Sequence, residues 1–128
     1  MGILEAIKTI LPSKYRIFLT DVPAEGECLV ISESSIQSSS SDLDKSDKTI
    51  TSYLHFYVRC KLKSGVYEDT KQDLLDYHSL IEDYWYRELG GNRILSVTDP
   101  TVTPSGRDKN GNSLYSMVFQ ITYSRGVH

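Results

Sequence analysis

The stretch Ile50-Thr51-Ser52-Tyr53-Leu54-His55-Phe56-Tyr57-Val58-Arg59-Cys60-Lys61-Leu62-Lys63 decides the fold class. Ile50, Leu54, Phe56, Val58, Cys60 and Leu62 form one alternating series. Thr51, Tyr53, His55, Tyr57, Arg59, Lys61 and Lys63 form the other, hydrophilic one. Alternation with a period of two marks a strand that buries one face and leaves the other polar. At about 3.3 Å per residue the strand would reach roughly 45 Å. A small domain has little need of that length, so part of it is expected to protrude.

Gly65 ends this run, and the spacing of the next segment predicts a long helix over 67–89. Leu74, His78, Ile81, Trp85 and Leu89 follow one another at intervals of four, three, four and four, and Gly90-Gly91-Asn92 terminates the pattern. Two further strands are expected at Arg93–Thr98, continuing past Pro100 toward Thr103, and at Leu114–Arg125. The turn between them is signalled by Asn110-Gly111. In the last strand Tyr115, Met117, Phe119, Ile121 and Tyr123 share a face. On the amino-terminal side, residues 2–11 predict a short helix with Ile3, Leu4, Ile7, Ile10 and Leu11 on its apolar stripe, stopped by Pro12. Tyr15–Leu19 reads as a short extended stretch and Cys28–Ile31 as a strand.

Residues 32–49 differ in character. They hold eight serines, several acids and only Ile36 and Leu43 as aliphatics. So little apolar area does not offset the entropy of ordering, and a mobile loop is expected. The expected fold is therefore α+β, a single domain over residues 1–128. It has an antiparallel or mixed sheet of about four to five strands, with one long helix and a short N-terminal helix packed on one face.

Bulk properties narrow the function. The 128 residues suffice for one core. The net charge of −3, from 14 basic and 17 acidic residues, argues against nucleic acid as the main partner. Arg59, Lys61 and Lys63 read as a solvated strand face. No apolar run approaches the roughly 20 residues that cross a bilayer. The amino terminus lacks the features of a signal peptide, and Ala6 stands where a myristoylation motif needs Ser or Thr. A cytoplasmic setting is expected, in which Cys28 and Cys60 read as small buried hydrophobes.

Catalytic groups are not in view. There is no glycine-rich phosphate loop and no paired cysteine motif. His55, His78 and His128 have no evident nucleophile beside them. Asp69, Asp73 and Asp76 share part of a helix face and read as solvated acids favoured by the helix dipole. The run Gly106–Asn112 lacks the acids of a calcium loop. No catalytic, cofactor-binding or metal-binding residue is expected, and the chain is not read as an enzyme. The positive signal is nine tyrosines. An aromatic body with a polar tip is enriched at protein interfaces. The candidate interface comprises Tyr53, His55, Tyr57, Arg59, Tyr84, Tyr86, Arg107 and Tyr115.

The segment from Thr103-Pro104-Ser105-Gly106-Arg107-Asp108-Lys109-Asn110-Gly111-Asn112 through Leu114-Tyr115 to Ile121-Thr122-Tyr123 resembles the C-terminal hairpin of siphophage tail-terminator and minor capsid proteins. Phe18-Leu19-Thr20-Asp21-Val22-Pro23, leading to Cys28-Leu29-Val30-Ile31, resembles their first segment. The polar segment 32–49 departs from the family pattern. The resemblance implies a virion protein that forms a ring, commonly of six copies, at the head-proximal end of a long tail tube. Its implied partners are itself, the major tail tube protein, a head-completion or connector protein and the tape-measure protein. Genomic DNA would pass through without specific binding. Glu33, Asp42, Asp44 and Lys45 are then expected to line the bore or touch the tube. A connector stopper, a tail-tube component and a non-phage protein-binding module are the alternatives.

Overall fold

A computed structural model describes residues 2–40 and 47–126. Helix α1 (Ile3–Ile10) leads to β1 (Ile17–Leu19), β2 (Cys28–Ser40) and β3 (Asp47–Cys60). Helix α2 (Val66–Glu82) follows, then β4 (Glu88–Leu89), β5 (Asn92–Val97), β6 (Thr101–Arg107) and β7 (Ser113–Gly126). The strands form one sheet in the order β1-β2-β3-β7-β5-β4, with β6 also paired to β7. Among the described residues only β1 runs parallel to its neighbour.

This corrects the expected architecture. The chain is mostly β, with 47% strand against 22% helix, and its seven strands form a curled half-barrel rather than a sheet of four to five strands built around one long helix. Two local features account for most of the difference. Ser32–Ser40 is strand rather than loop, because the long β3 offers it a ladder from Cys28↔Arg59 to Ser40↔Lys48, interrupted by a register shift at Ile36. Pairing with a strong neighbour outweighs the weak strand preference of serine. The chain after α2 is also more finely divided than expected. The helix ends at Glu82, and Tyr86 adopts a left-handed conformation at φ 62°. Its N–H donates to the Ile94 carbonyl at 2.7 Å, which turns the chain into the short β4.

β5 and β6 lie one after the other along the same edge of β7. β6 covers its first half and β5 its second. Between them Thr98-Asp99-Pro100 interrupts the ladder, as a proline without an N–H requires. Thr98 repairs the interruption: its N–H donates to the Gln120 carbonyl at 2.9 Å, and its Oγ1 accepts from the Gln120 N–H at 2.8 Å.

The core occupies one face of the sheet. Leu29 and Ile31 of β2 join Leu54, Phe56 and Val58 of β3 and Met117, Phe119 and Ile121 of β7. Both helices cover this face. α1 supplies Ile3, Ala6 and Ile7, and α2 supplies Leu74, Tyr77 and Ile81. Fully burying aliphatic and aromatic side chains of this size contributes about 1.5–3 kcal/mol each relative to leaving them exposed. The parity of β3 seen in the sequence is therefore the parity of burial, and it leaves the opposite face of the sheet without a helix.

Candidate interaction surface

The face turned away from the helices is built by the second parity of β2, β3 and β7. Register places Val30 beside Tyr57 and Ser116, Ser32 beside His55 and Val118, and Ser34 beside Tyr53 and Gln120. Thr51 lies beside Thr122, with their hydroxyl oxygens 3.0 Å apart. β6 continues the rows with Thr101 next to Val118 and Thr103 next to Ser116. None of these residues carries a formal charge, in a chain of which 24% is charged. Burial lowers the His55 pKa from its ordinary value, which favours the neutral imidazole. These central rows are thus an uncharged field of hydroxyls, one amide, His55, two valines and two tyrosines, with Arg93 beside Ser124 and Glu88 beside Arg93 carrying charge at the β5–β4 margin. Depletion of charge with enrichment of tyrosine is the composition of an interface centre.

The structure brings Tyr53, His55 and Tyr57 together on this face; Tyr53 is exposed and the other two are half-buried. Arg59 shares their parity but does not belong to the free surface. It is buried, and its guanidinium donates from Nε to the Gly26 carbonyl at 2.7 Å and from a terminal nitrogen to the Pro23 carbonyl at 3.0 Å. Those bonds fold the 21–27 loop over one end of the sheet. Tyr115 is also withdrawn: it lies buried on the core side, opposite Val58, and stacks on Tyr67 with ring centroids 5.8 Å apart. Tyr84 and Tyr86 lie beyond α2, where the Arg87 guanidinium sits 5.0 Å from the centre of the Tyr84 ring. Tyr86 is exposed there, and Arg107 is exposed at the end of β6.

Glu33 does not lie in a free loop. It sits in β2 on the core parity, where its carboxylate accepts from the Ser52 hydroxyl at 2.7 Å and from the Tyr123 hydroxyl. Asp42, Asp44 and Lys45 lie outside the described residues.

One surface feature had a sequence signal that composition masked. β1 covers the outer edge of β2 only over Leu29–Ile31, and Thr20 closes that pairing by donating to the Ile31 carbonyl at 2.8 Å. Beyond Ile31, among the described residues, no strand pairs with this edge. The length of β3 was the available clue, since a strand that long requires neighbours of similar length.

A cavity of about 390 Å³ lies at the opposite end of β3, lined by Tyr15, Cys60, Lys61, Val66, Asp69 and Thr70 among others. Its chemistry is structural. Lys14 Nζ and the Tyr15 hydroxyl both donate to Asp73, at 2.7 and 2.9 Å. Burial raises the Cys60 pKa, which keeps the thiol protonated and poorly nucleophilic. Cys28 is likewise a buried free thiol raised by burial. Of the helix acids, Asp73 holds these two donors and Asp76 accepts from Gln72 at 2.8 Å. Among the described residues no group of three or more His, Cys, Asp or Glu is placed to hold a metal ion. Nor, among them, is any helix long and apolar enough to cross a membrane.

No known family model matches the chain, and no curated protein matches it.

Proposed function

We propose that the chain is a structural subunit that works by assembling with copies of itself. On this reading it forms the ring that caps the head-proximal end of a long phage tail and offers a docking surface to the head connector. The observation that carries the assembly reading is the uncharged centre of the outer sheet face, with Tyr53, His55 and Tyr57 in it. The placement in a phage tail is supported by the resemblance of the Thr103–Tyr123 and Phe18–Ile31 segments to tail-terminator proteins. A side-to-side contact between unlike surfaces closes into a ring when its rotation divides a full turn. If one ring face matches the tube subunit and the other does not, polymerisation ends there.

The test is imaging of the purified protein alone and with isolated tail tubes. Rings, and density at one tube end only, are expected. Replacing Tyr53 with Glu places a charge in the uncharged field and is expected to abolish rings while leaving the fold intact, since Tyr53 is exposed. Long tubes of the protein alone would instead indicate a tube component. A protein that stays monomeric at high concentration and ignores tube ends would sink the proposal.

A further inference from the structure

A second cavity, of about 290 Å³, lies beside the start of α1. Ile3, Leu4 and Leu19 form its apolar wall, and Thr20, Glu33, Tyr123 and Arg125 its polar side. That volume is near the lower bound of ligand pockets and suits a small molecule. Thr20 holds φ 76°, an outlier for a β-branched residue. Strain of this kind gathers at ligand clamps and persists where the surroundings hold it. Here the 2.8 Å bond from the Thr20 N–H to the Ile31 carbonyl does so.

Glu33 is the acid that β2 turns inward. Both of its donors, the Ser52 and Tyr123 hydroxyls, reach the same oxygen, Oε2. Ser52 and Tyr123 are buried, so the carboxylate is fixed from behind. Oε1 has no protein partner among the described residues, and it is not sealed from solvent. A carboxylate oxygen only accepts, so whatever completes Oε1 must donate. Arg125 follows Tyr123 by two residues and therefore emerges on the same face of β7, roughly 7 Å further along. It is exposed, lines the same cavity and, among the described residues, forms no ion pair with Glu33. One cavity thus holds a fixed acceptor and a free donor of opposite charge, kept apart, beside an apolar wall.

We infer that this cavity binds a free α-amino acid with an apolar side chain. The ligand's ammonium donates to Glu33 Oε1, and its carboxylate accepts from the Arg125 guanidinium. Its side chain lies against Ile3, Leu4 and Leu19. The zwitterion is the fitting species because it presents both charges on one small molecule. An amine without a carboxylate leaves Arg125 unanswered, and an acid without an ammonium leaves Glu33 unanswered. Glu5 is exposed at the same cavity and adds a second negative charge, which favours the ammonium end. The site does not rest on the assembly reading, since all of these residues belong to one copy.

The test is titration of the isotope-labelled protein with leucine, followed by backbone amide NMR shifts. Saturable shifts are expected at Leu4, Leu19 and Thr20. Isoamylamine is leucine without its carboxylate, and isocaproate is leucine without its ammonium. Each is expected to bind about ten-fold more weakly, the loss of one charge-assisted hydrogen bond. Glu33→Gln keeps an acceptor for Ser52 and Tyr123 but removes the charge. Arg125→Gln changes an exposed side chain and is expected to leave the fold intact. Either variant should weaken leucine binding by about ten-fold. A Glu33 that only pins β2 to its neighbours gives no saturable shift with leucine, isoleucine or valine, and that result would overturn the inference. Isoamylamine as tight as leucine would also overturn it, by indicating a plain cation site, as would isocaproate as tight as leucine. So would an Arg125→Gln variant that binds leucine as well as wild type. If Glu33→Gln fails to fold, Arg125→Gln and the two analogues still decide.

Discussion

His78 and Thr98 join helix to sheet across a break in the β7 edge. His78 Nε2 lies 2.7 Å from the Thr98 carbonyl oxygen, and the imidazole meets the Phe119 ring edge-on with centroids 4.7 Å apart. A carbonyl can only accept, so Nε2 carries the proton. The interruption at Pro100 leaves this carbonyl without a strand partner, and α2 supplies the missing donor. Replacing His78 with Phe keeps an aromatic ring against Phe119 but strands the carbonyl. The expected loss is about 1–3 kcal/mol, measurable by urea unfolding followed through the fluorescence of Trp85.

Arg59 acts as a clamp on the 21–27 loop. Its fork reaches two carbonyls, those of Gly26 and Pro23. A lysine presents a point charge and not a planar fork, so Arg59→Lys is expected to recover little of the loss caused by Arg59→Met. Limited proteolysis in the 21–27 loop should accelerate in both variants, with far smaller changes elsewhere.

Tyr77 places its hydroxyl in the core beside Phe56 with no hydrogen-bond partner among the described residues. Burial pushes its pKa up to about 12, with Asp73 and Asp76 adding to the rise. Removing an unpaired buried hydroxyl removes a desolvation cost, so Tyr77→Phe is expected to be neutral or stabilising by up to about 1 kcal/mol. A shift of the urea midpoint to lower concentration would contradict this.

Alkaline pH should unfold the protein. Burial raises the pKa of Tyr15, Tyr77 and Tyr123, and Asp73 and Glu33 raise those of Tyr15 and Tyr123 further. The folded chain therefore holds protons that the unfolded chain releases from about pH 10 upward. The stabilisation is full below that point and is lost as pH climbs through the folded values. Tyr77→Phe removes one such group and should move the alkaline midpoint upward.

At the β6–β7 turn the sign reverses. The Asn112 side-chain amide holds the Asp108 pKa below the usual carboxylate range, joined by the backbone N–H groups of Asn112 and Asn110. Its contribution is present above the ordinary aspartate pKa and fades as pH falls through the folded value. An NMR titration of the Asp108 carboxyl should show the low midpoint, and Asn112→Ala should raise it.

Legibility in the sequence followed how local each determinant was. The parity of β3 and the shared face of Met117, Phe119 and Ile121 depend on neighbours two residues apart, and both could be read directly. Ser32–Ser40 was hidden because its strand character comes from β3, not from its own composition. The α2 pattern ran past Glu82 since Trp85 and Leu89 kept helical spacing, although Tyr86 turns the chain and Leu89 is buried from a strand. On the outer face, alternation alone places Tyr53, His55 and Tyr57 side by side, as the register does. Arg59 has the same parity, but only the tertiary path of the 21–27 loop removes it from solvent. Tyr115 shares the parity of Met117, Phe119 and Ile121, and that parity, rather than the polar tip of a tyrosine, decides its burial.

The position of β7 also sets when the molecule can come into being. It is the last of the described strands in chain order, yet it is flanked by β3 on one side and by β5 and β6 on the other. Until it emerges, β3 exposes a fourteen-residue edge, and β5 and β6 have no ladder to join. The sheet is therefore completed after nearly all of these residues have been synthesised. A ribosome stalled before Ser113 would hold a chain whose halves cannot yet meet, with the β2–β3 hairpin open to whatever strand comes first.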